Sequence, residues 1–145
     1  MSESRPQDPV LTVEDLSVAF FTEEGRVDAV RGVSFALERG STLSIVGESG
    51  SGKSVSAFAV LRLIQKPGRI LGGKITLYPR EREPIEITAL SEKDKRLFDL
   101  RGDLVSMIFQ EPMSALSPVH TVGGQIEEAI RLHRPVNRKE AQEEV

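Results

Sequence analysis

Cysteine and tryptophan are absent from the 145-residue sequence, and aromatic residues are scarce, with six phenylalanines and one tyrosine. Without cysteine, the chain holds no disulfide, no thiolate metal site and no cysteine nucleophile. A basic excess is lacking as well, because 19 lysines and arginines stand against 22 acidic residues and give a formal net charge of −3. A dedicated nucleic-acid-binding protein would carry a strong basic excess. We therefore expect no nucleic-acid partner.

Long apolar runs are also lacking. The longest uninterrupted one, residues 57–61, is far shorter than the roughly 20 residues that span a bilayer. Residues 1–9 are polar and contain no apolar stretch of the kind found in signal peptides. We therefore expect a cytosolic chain, or one docked on a membrane protein. With 39% hydrophobic and 28% charged residues, the length and composition fit one globular domain.

Hydrophobic periodicity and turn residues predict both strands and helices. Apolar residues alternate over 11–21, and Glu23-Glu24-Gly25 is typical of a hairpin turn before a second extended stretch over 27–37. Further strands are predicted over 41–46, 74–78, 85–87 and 104–109, the last buried on both faces as an apolar run. Helices are predicted over 53–64, 91–100, about 122–130 and 139–145, the second and fourth opened by capping-box patterns at Ser91 and Asn137.

One motif carries specific chemistry. Residues 47–54 fit the pattern G-x-x-x-x-G-K-[ST] at every required position, between a predicted strand and a predicted helix. The residues of this phosphate-binding loop are Gly47, Glu48, Ser49, Gly50, Ser51, Gly52, Lys53 and Ser54. The alternative interpretation is a Gly/Ser-rich turn that happens to precede a helix, and the flanking elements argue against it.

The composition of this loop suits the binding of ATP with Mg²⁺. Gly50 and Gly52 let the chain curl so that successive backbone N–H groups point inward toward phosphate oxygens. The helix that follows adds its N-terminal N–H groups and dipole. Lys53 is expected to reach the β- and γ-phosphates, and the Ser54 hydroxyl to complete the coordination shell of the metal.

Segments outside the loop narrow the choice among the families of proteins that carry such a motif. The sequences IVGESGSGKS at 45–54 and MIFQEPMSALSP at 107–118, with VRGVSF at 30–35, resemble the ATP-binding subunits of ABC transporters, in particular bacterial peptide importers. The resemblance covers about 11–145, and it departs from the usual pattern at Ser117, where the family commonly has asparagine. It implies an α/β fold, the ABC-type nucleotide-binding domain of P-loop NTPases in part.

The resemblance also implies how this partial domain is organised. Residues 1–10 are expected to form a flexible tail before the N-terminal part of the domain, 11–145. An antiparallel β-subdomain is expected near 11–40 and 73–88, beside an α/β core that holds strands 41–46 and 104–109. A helical subdomain is expected to start near 121.

Two further site residues follow from the resemblance. In such proteins the glutamine after a buried strand positions Mg²⁺ and the attacking water, and Gln110 occupies that place. The alternative interpretation of Gln110 is a glutamine in an ordinary surface loop. An aromatic residue of the first strand stacks on adenine in the family, and Phe20 lies at the matching position, with Phe21 next to it on the opposite face. Core packing is the alternative for either ring.

Other candidates do not fit. Val122-Gly123-Gly124-Gln125 imitates the family signature L-S-G-G-Q, but it follows Gln110 by only 15 residues and is itself followed by acidic residues. We interpret it as a glycine-containing helix start. His120 and His133, the two histidines, lie 13 residues apart without a partner cluster, which favours neither a zinc site nor a catalytic base.

The resemblance implies an energy-coupling ATPase subunit that works with transmembrane permease subunits and a second nucleotide-binding domain, and indirectly with a substrate-binding protein, at the cytoplasmic side of the membrane. The signature, an Asp-Glu strand end and the later histidine of the family are not found in the sequence. We therefore expect ATP binding by this chain, and hydrolysis only with the C-terminal half of such a domain. A nucleotide-binding remnant or regulatory fragment without transport activity stays open as the alternative, and a small kinase as a weaker one.

Overall fold

The computed structural model describes residues 8–110 and 116–145. These residues form two compact units, one ending at Leu97 and one covering Phe98–Val145. The strands are β1 (Pro9–Thr22), β2 (Gly25–Glu38), β3 (Gly68–Leu77) and β4 (Ile85–Glu86), followed by a 3₁₀ turn at Ile87–Ala89. The helices are α1 (Lys53–Val60), α2 (Arg96–Leu100), α3 (Val122–His133) and α4 (Arg138–Glu143).

The first unit is built on an antiparallel sheet with strand order β2-β1-β3-β4. Thr22 pairs with Gly25, so the turn between β1 and β2 has two residues, Glu23 and Glu24, and the predicted hairpin is confirmed. The predicted antiparallel β-subdomain is likewise present. Its first strand already begins at Pro9, inside the segment expected to be a tail, and residues 1–7 lie outside the described part of the chain.

Both long strands are irregular near their middle. The pairing of β1 with β2 shifts register between Val13 and Leu16, where Asp15 adopts a left-handed backbone conformation with φ of 50°. Two hydroxyl groups replace ladder bonds there. The Asp15 amide donates to Ser34 Oγ at 2.9 Å, and the Gly32 amide donates to Ser17 Oγ at 3.1 Å. Because these bonds satisfy the backbone at the bulge, one residue can be inserted without losing the hairpin.

The core of the first unit lies between this sheet and the end of α1. Several side chains of β1 and β3 are fully or almost fully buried, as are the last residues of α1 and the one after it. These side chains are Val13, Leu16, Val18, Ile75, Leu77, Ala59, Val60 and Leu61. Phe21 of β1, Val27 of β2 and Leu71 of β3, by contrast, are 42–57% exposed.

The prediction of a strand over 41–46 is wrong. The segment has no regular secondary structure, and Leu43, Ile45 and Val46 are 44%, 49% and 92% exposed. A strand must exchange backbone hydrogen bonds with a neighbour. Among the described residues none pairs with this segment, so its apolar composition alone does not make it a strand.

The prediction of a buried strand over 104–109 is also wrong. Arg101 and Val105 form an isolated bridge, residues 106–109 are without regular structure, and Ile108 is 92% exposed. The reason is the same as for 41–46, since the described residues provide no neighbouring strand. Of the elements expected in the α/β core, the described residues form helix α1 but neither of these two strands.

Helices α1 and α2 are shorter than the sequence pattern suggests, whereas α3 extends to His133 instead of about 130. α1 ends at Val60 instead of 64, and α2 begins at Arg96 instead of 91. Ser91 does not open α2. Asp94 takes that place by accepting from the Arg96 amide at 3.0 Å and from its guanidinium at 2.8 Å. The side-chain hydrogen bond from Arg96 lowers the pKa of Asp94.

The second unit pairs α3 with α4. Asn137 accepts from the amides of Lys139 and Glu140 while the Glu140 carboxylate accepts from the Asn137 amide, which confirms the predicted capping box at α4. The Glu127 side chain, 9% exposed, lies between the helices. Its carboxylate accepts a hydrogen bond from Gln142 Nε2 at 3.1 Å. It also forms ion pairs with the guanidinium groups of Arg138 at 3.2 Å and Arg131 at 3.5 Å. A buried carboxylate with three donors links the two helices.

Among the described residues, no helix combines the length and the apolar character required to cross a membrane.

Candidate nucleotide-binding site

The loop of residues 47–52 leads from the irregular segment 41–46 into α1. Its turn is closed by the Ser51 amide, which donates to the Glu48 carbonyl at 3.2 Å. Gly50 and Gly52 have φ of 79° and 88°, a region that L side chains rarely adopt. Gly52 is also packed against β2, because a Cβ there would overlap the Ala29 carbonyl oxygen. The backbone of β2 therefore supports the end of the loop.

The Lys53 ammonium group lies over this loop. Its Nζ donates to the carbonyl oxygens of Gly47 at 2.7 Å and Glu48 at 2.6 Å, and to Ser51 Oγ at 3.2 Å. These contacts hold the positive charge over the loop, and in the part of the chain that the structure describes no acidic side chain pairs with it. A phosphate group arriving there would offer anionic oxygens in place of neutral carbonyl and hydroxyl groups, which makes stronger, charge-assisted hydrogen bonds.

The N-terminus of α1 provides further donors. Its N-cap residue is Gly52, and no side chain of the described residues caps the first turn. The N–H groups of a first turn have no partner inside the helix, so they point toward whatever lies beyond it. Ser54 stands in this turn with an exposed hydroxyl group, whereas the Ser56 hydroxyl turns back to the Gly52 carbonyl at 3.0 Å. The donor set fits a phosphate chain.

The described residues contain no group of three or more histidine, aspartate and glutamate side chains that could hold a metal ion. The Ser54 hydroxyl is a ligand type suited to Mg²⁺, but one hydroxyl is not enough to hold the ion. The residues of the loop therefore fit Mg²⁺ only as part of a complex in which phosphate oxygens supply most of the ligands.

The two candidate aromatic residues have different surroundings. The Phe20 ring is half-buried and lies against Gly68, where a Cβ would be 2.7 Å from Phe20 Cε1. The Phe21 ring is 42% exposed, and the guanidinium carbon of Arg69 lies 5.5 Å from its centroid, a cation–π distance. Packing on β3 thus accounts for one side of Phe20, and Arg69 occupies one face of Phe21.

Gln110 belongs to the second unit, where it is exposed and follows the exposed Phe109. Residues 111–115 of the MIFQEPMSALSP segment lie outside the described residues. His133 packs on Gly102, and His120 Nδ1 lies 2.9 Å from Ser117 Oγ.

The Gly-Gly-Gln segment is the first turn of α3, as interpreted from the sequence. Thr121 is the N-cap, and its hydroxyl accepts from the Gly124 amide at 3.1 Å. Sequence reasoning missed the role of Gln125, whose side chain folds back onto the turn that precedes α3. No local pattern indicates this contact, because it joins residues eight positions apart.

Comparison with known proteins decides the family. The family model described as ABC transporter matches residues 30–145, which include the phosphate-binding loop and Gln110. The chain belongs to the ABC transporter family. Residues 30–145 therefore belong to a nucleotide-binding domain of the P-loop NTPase type.

Curated relatives of this ABC transporter chain are ATP-binding proteins. It is 51% identical to the glutathione import ATP-binding protein GsiA of Escherichia coli O1:K1 / APEC over 133 residues, which cover 91% of this chain and 21% of that protein. Identity to the proteins of the same name from Shigella boydii serotype 4 (strain Sb227) and Escherichia coli (strain K12) is 50% over the same length. The chain thus spans 21% of the length of these relatives.

Proposed function

We propose that this chain is the ATP-binding part of an energy-coupling subunit in an ABC importer for glutathione or related short peptides. The observation that carries the proposal is the Lys53 ammonium group, held over a glycine-rich loop at the uncapped N-terminus of α1. Membership of the ABC transporter family and 51% sequence identity to a glutathione import ATP-binding protein support the same assignment.

Each residue of the loop has a role in this proposal. Gly47 to Gly52 offer backbone N–H groups to the phosphate chain, and Lys53 binds the terminal phosphate oxygens. Ser54 would hold Mg²⁺ together with phosphate oxygens, and Gln110 would offer an amide oxygen to the metal and orient the attacking water. The bound ion screens the phosphate charge. Hydrolysis depends on signature and acidic residues that the whole subunit and its dimer partner supply.

The partners follow from the same proposal. A transmembrane permease receives the energy of nucleotide binding, a second nucleotide-binding domain completes the site, and a substrate-binding protein delivers the peptide. The subunit is then peripheral, on the cytoplasmic side of the membrane.

The proposal predicts saturable binding of MgATP to the wild-type chain. Calorimetric titration is expected to give one site per chain, with affinity falling when Mg²⁺ is removed by a chelator. Adenosine is the control ligand, since a site built on phosphate contacts should not bind the nucleoside measurably at the same concentration. Equal affinity for adenosine and MgATP, or no saturable binding of MgATP, would contradict the proposed function.

Phe20 is proposed to stack on the adenine ring. We expect Phe20→Ala to weaken ATP binding about 5- to 140-fold, because base stacking on an aromatic side chain is worth about 1–3 kcal/mol. Tripolyphosphate, which lacks the base, should bind the variant and the wild type equally.

The neighbouring ring provides the matched variant. Phe21→Ala removes an exposed ring that pairs with Arg69 and is expected to leave ATP affinity within about twofold of wild type, as for surface substitutions generally. If Phe21→Ala and not Phe20→Ala shows the base-dependent loss, the assignment of the stacking residue is wrong.

A further inference from the structure

An open cleft of about 640 Å³ lies in the second unit, where α3, α4 and the turn between them meet. Small-molecule sites in proteins have volumes of about 300–1,000 Å³, so the cleft is large enough for such a ligand. Its walls combine charged and apolar side chains. Those that matter for its chemistry are Glu128, Arg131, Leu132, Arg134, Val136 and Arg138.

Glu127 holds two of these arginines together at one side of the cleft. Its Oε1 lies 3.5 Å from Arg131 Nη1 and 3.2 Å from Arg138 Nε. The two guanidinium groups therefore approach each other closely, because both lie against the same oxygen atom. The other carboxylate oxygen, Oε2, accepts from Gln142. Since the Glu127 side chain is buried and both of its oxygens are engaged, it positions the arginines instead of binding a ligand itself.

The charge at this side of the cleft is unbalanced. Two guanidinium groups share one carboxylate, which leaves one positive charge in excess, whereas Arg134 has its own partner in Glu144 at 2.7 Å. The side chains of Arg131 and Arg138 are 51% and 75% exposed, and each guanidinium group carries five N–H donors. The donors that Glu127 does not use suit a ligand carboxylate, which guanidinium groups bind with charge-assisted hydrogen bonds.

The rest of the cleft offers a negative charge and an apolar wall. Glu128 lines the cleft with an exposed carboxylate. Leu132, one turn further along α3 and 74% exposed, lines it together with Val136. Counting Glu128 against the excess positive charge makes the cleft neutral, which matches a zwitterion better than an anion. A single amino acid would fill only a small part of this volume.

We propose that this cleft binds short peptides that have free termini and an apolar side chain. The peptide carboxylate binds Arg131 and Arg138, its ammonium group binds Glu128, and its apolar side chain packs on Leu132 and Val136. This binding site goes beyond nucleotide binding, because all of its residues belong to the second unit and the phosphate-binding loop belongs to the first. Short peptides are also the cargo class of the proposed function, but the binding does not depend on that assignment.

Ligand analogues test the contacts in the unchanged full chain. Calorimetric titration with the dipeptide alanyl-leucine is expected to show one saturable site. Alanyl-leucine amide lacks the carboxylate and N-acetyl-alanyl-leucine lacks the ammonium group, and each is expected to bind at least roughly tenfold more weakly, because one charge-assisted contact is lost. Inorganic phosphate, which carries no ammonium group and no apolar part, should not compete with the dipeptide.

Substitutions assign the two charged contacts to residues. Arg131→Gln and Arg138→Gln should weaken the binding of alanyl-leucine at least roughly tenfold and leave the affinity for its amide unchanged. Glu128→Gln should weaken the binding of alanyl-leucine but not that of the N-acetylated dipeptide. Arg101→Gln, which removes an arginine of the same unit outside the cleft, is the matched control and should keep wild-type affinity. Circular dichroism checks the helices, and if an arginine variant unfolds because Glu127 loses its partner, the exposed Glu128 still provides the test.

The outcomes separate this proposal from the proposed function. No saturable binding of alanyl-leucine by the wild-type chain overturns it, and so does equal binding of the dipeptide and both analogues. Competition by inorganic phosphate, or an equal loss of affinity in Arg101→Gln, also overturns it, since either result would reflect general attraction of anions. Titration of the same preparation with MgATP is independent, because its failure contradicts the proposed function and leaves the peptide site standing.

Discussion

Replacing Lys53 with alanine is expected to weaken MgATP binding by about 100-fold or more, the largest effect of any single side chain in the loop. Hydrogen bonds between an ammonium group and phosphate oxygens contribute about 1.5–3 kcal/mol each, and Lys53 is placed to make two of them. The neutral partners that it leaves behind are the Gly47 and Glu48 carbonyl oxygens in an exposed loop. Water can replace the ammonium group there, so the stability of the fold should hardly change.

Lys74→Ala is the matched control for this experiment. Lys74 is half exposed on β3 and forms one ion pair with Glu86 at 3.4 Å, a surface contact that contributes little. Lys74→Ala removes one positive charge from the first unit, as Lys53→Ala does. An unspecific effect of net charge on nucleotide affinity would therefore appear in both variants. Calorimetric titration with MgATP compares them. Wild-type affinity in Lys53→Ala would show that the loop is not the phosphate site.

Features set by neighbouring residues could be predicted from the sequence. The hairpin turn depends on Glu23, Glu24 and Gly25, and the capping box of α4 depends on Asn137 and Glu140, all close together in the chain. The turn of residues 47–52 is equally local, since the beginning of α1 at Lys53 follows the glycines directly. In each case the residues that cause the structure are the ones that the pattern contains.

Features that depend on distant partners could not be predicted. The apolar runs at 41–46 and 104–109 have the composition of strands, but composition does not provide the neighbour with which a strand must pair. The bulge at Asp15 depends on Ser34, 19 positions away, and the turn before α3 on Gln125. Such contacts couple one side chain to a remote backbone group, which periodicity does not encode.

Gly52→Ala is expected to destabilise the first unit by roughly 2–5 kcal/mol and to remove MgATP binding with it. About 1–2 kcal/mol comes from placing a Cβ in the left-handed region, since φ is 88°. The remainder, about 1–3 kcal/mol, comes from overpacking, because the new methyl group would overlap the Ala29 carbonyl oxygen. Either β2 or the start of α1 has to move, and both movements displace the amides of the loop.

Gly50→Ala separates these two causes. Gly50 has a similar φ of 79°, but a Cβ there would meet nothing within 4 Å, so only the backbone cost of about 1–2 kcal/mol remains. Urea unfolding followed by the fluorescence of the single tyrosine, Tyr78, which directly follows β3 in the first unit, measures both variants. Equal midpoints for Gly50→Ala and Gly52→Ala would mean that β2 does not support the loop. A midpoint lower for Gly52→Ala than for Gly50→Ala identifies the Ala29 carbonyl as the contact that fixes the proposed phosphate site to the sheet.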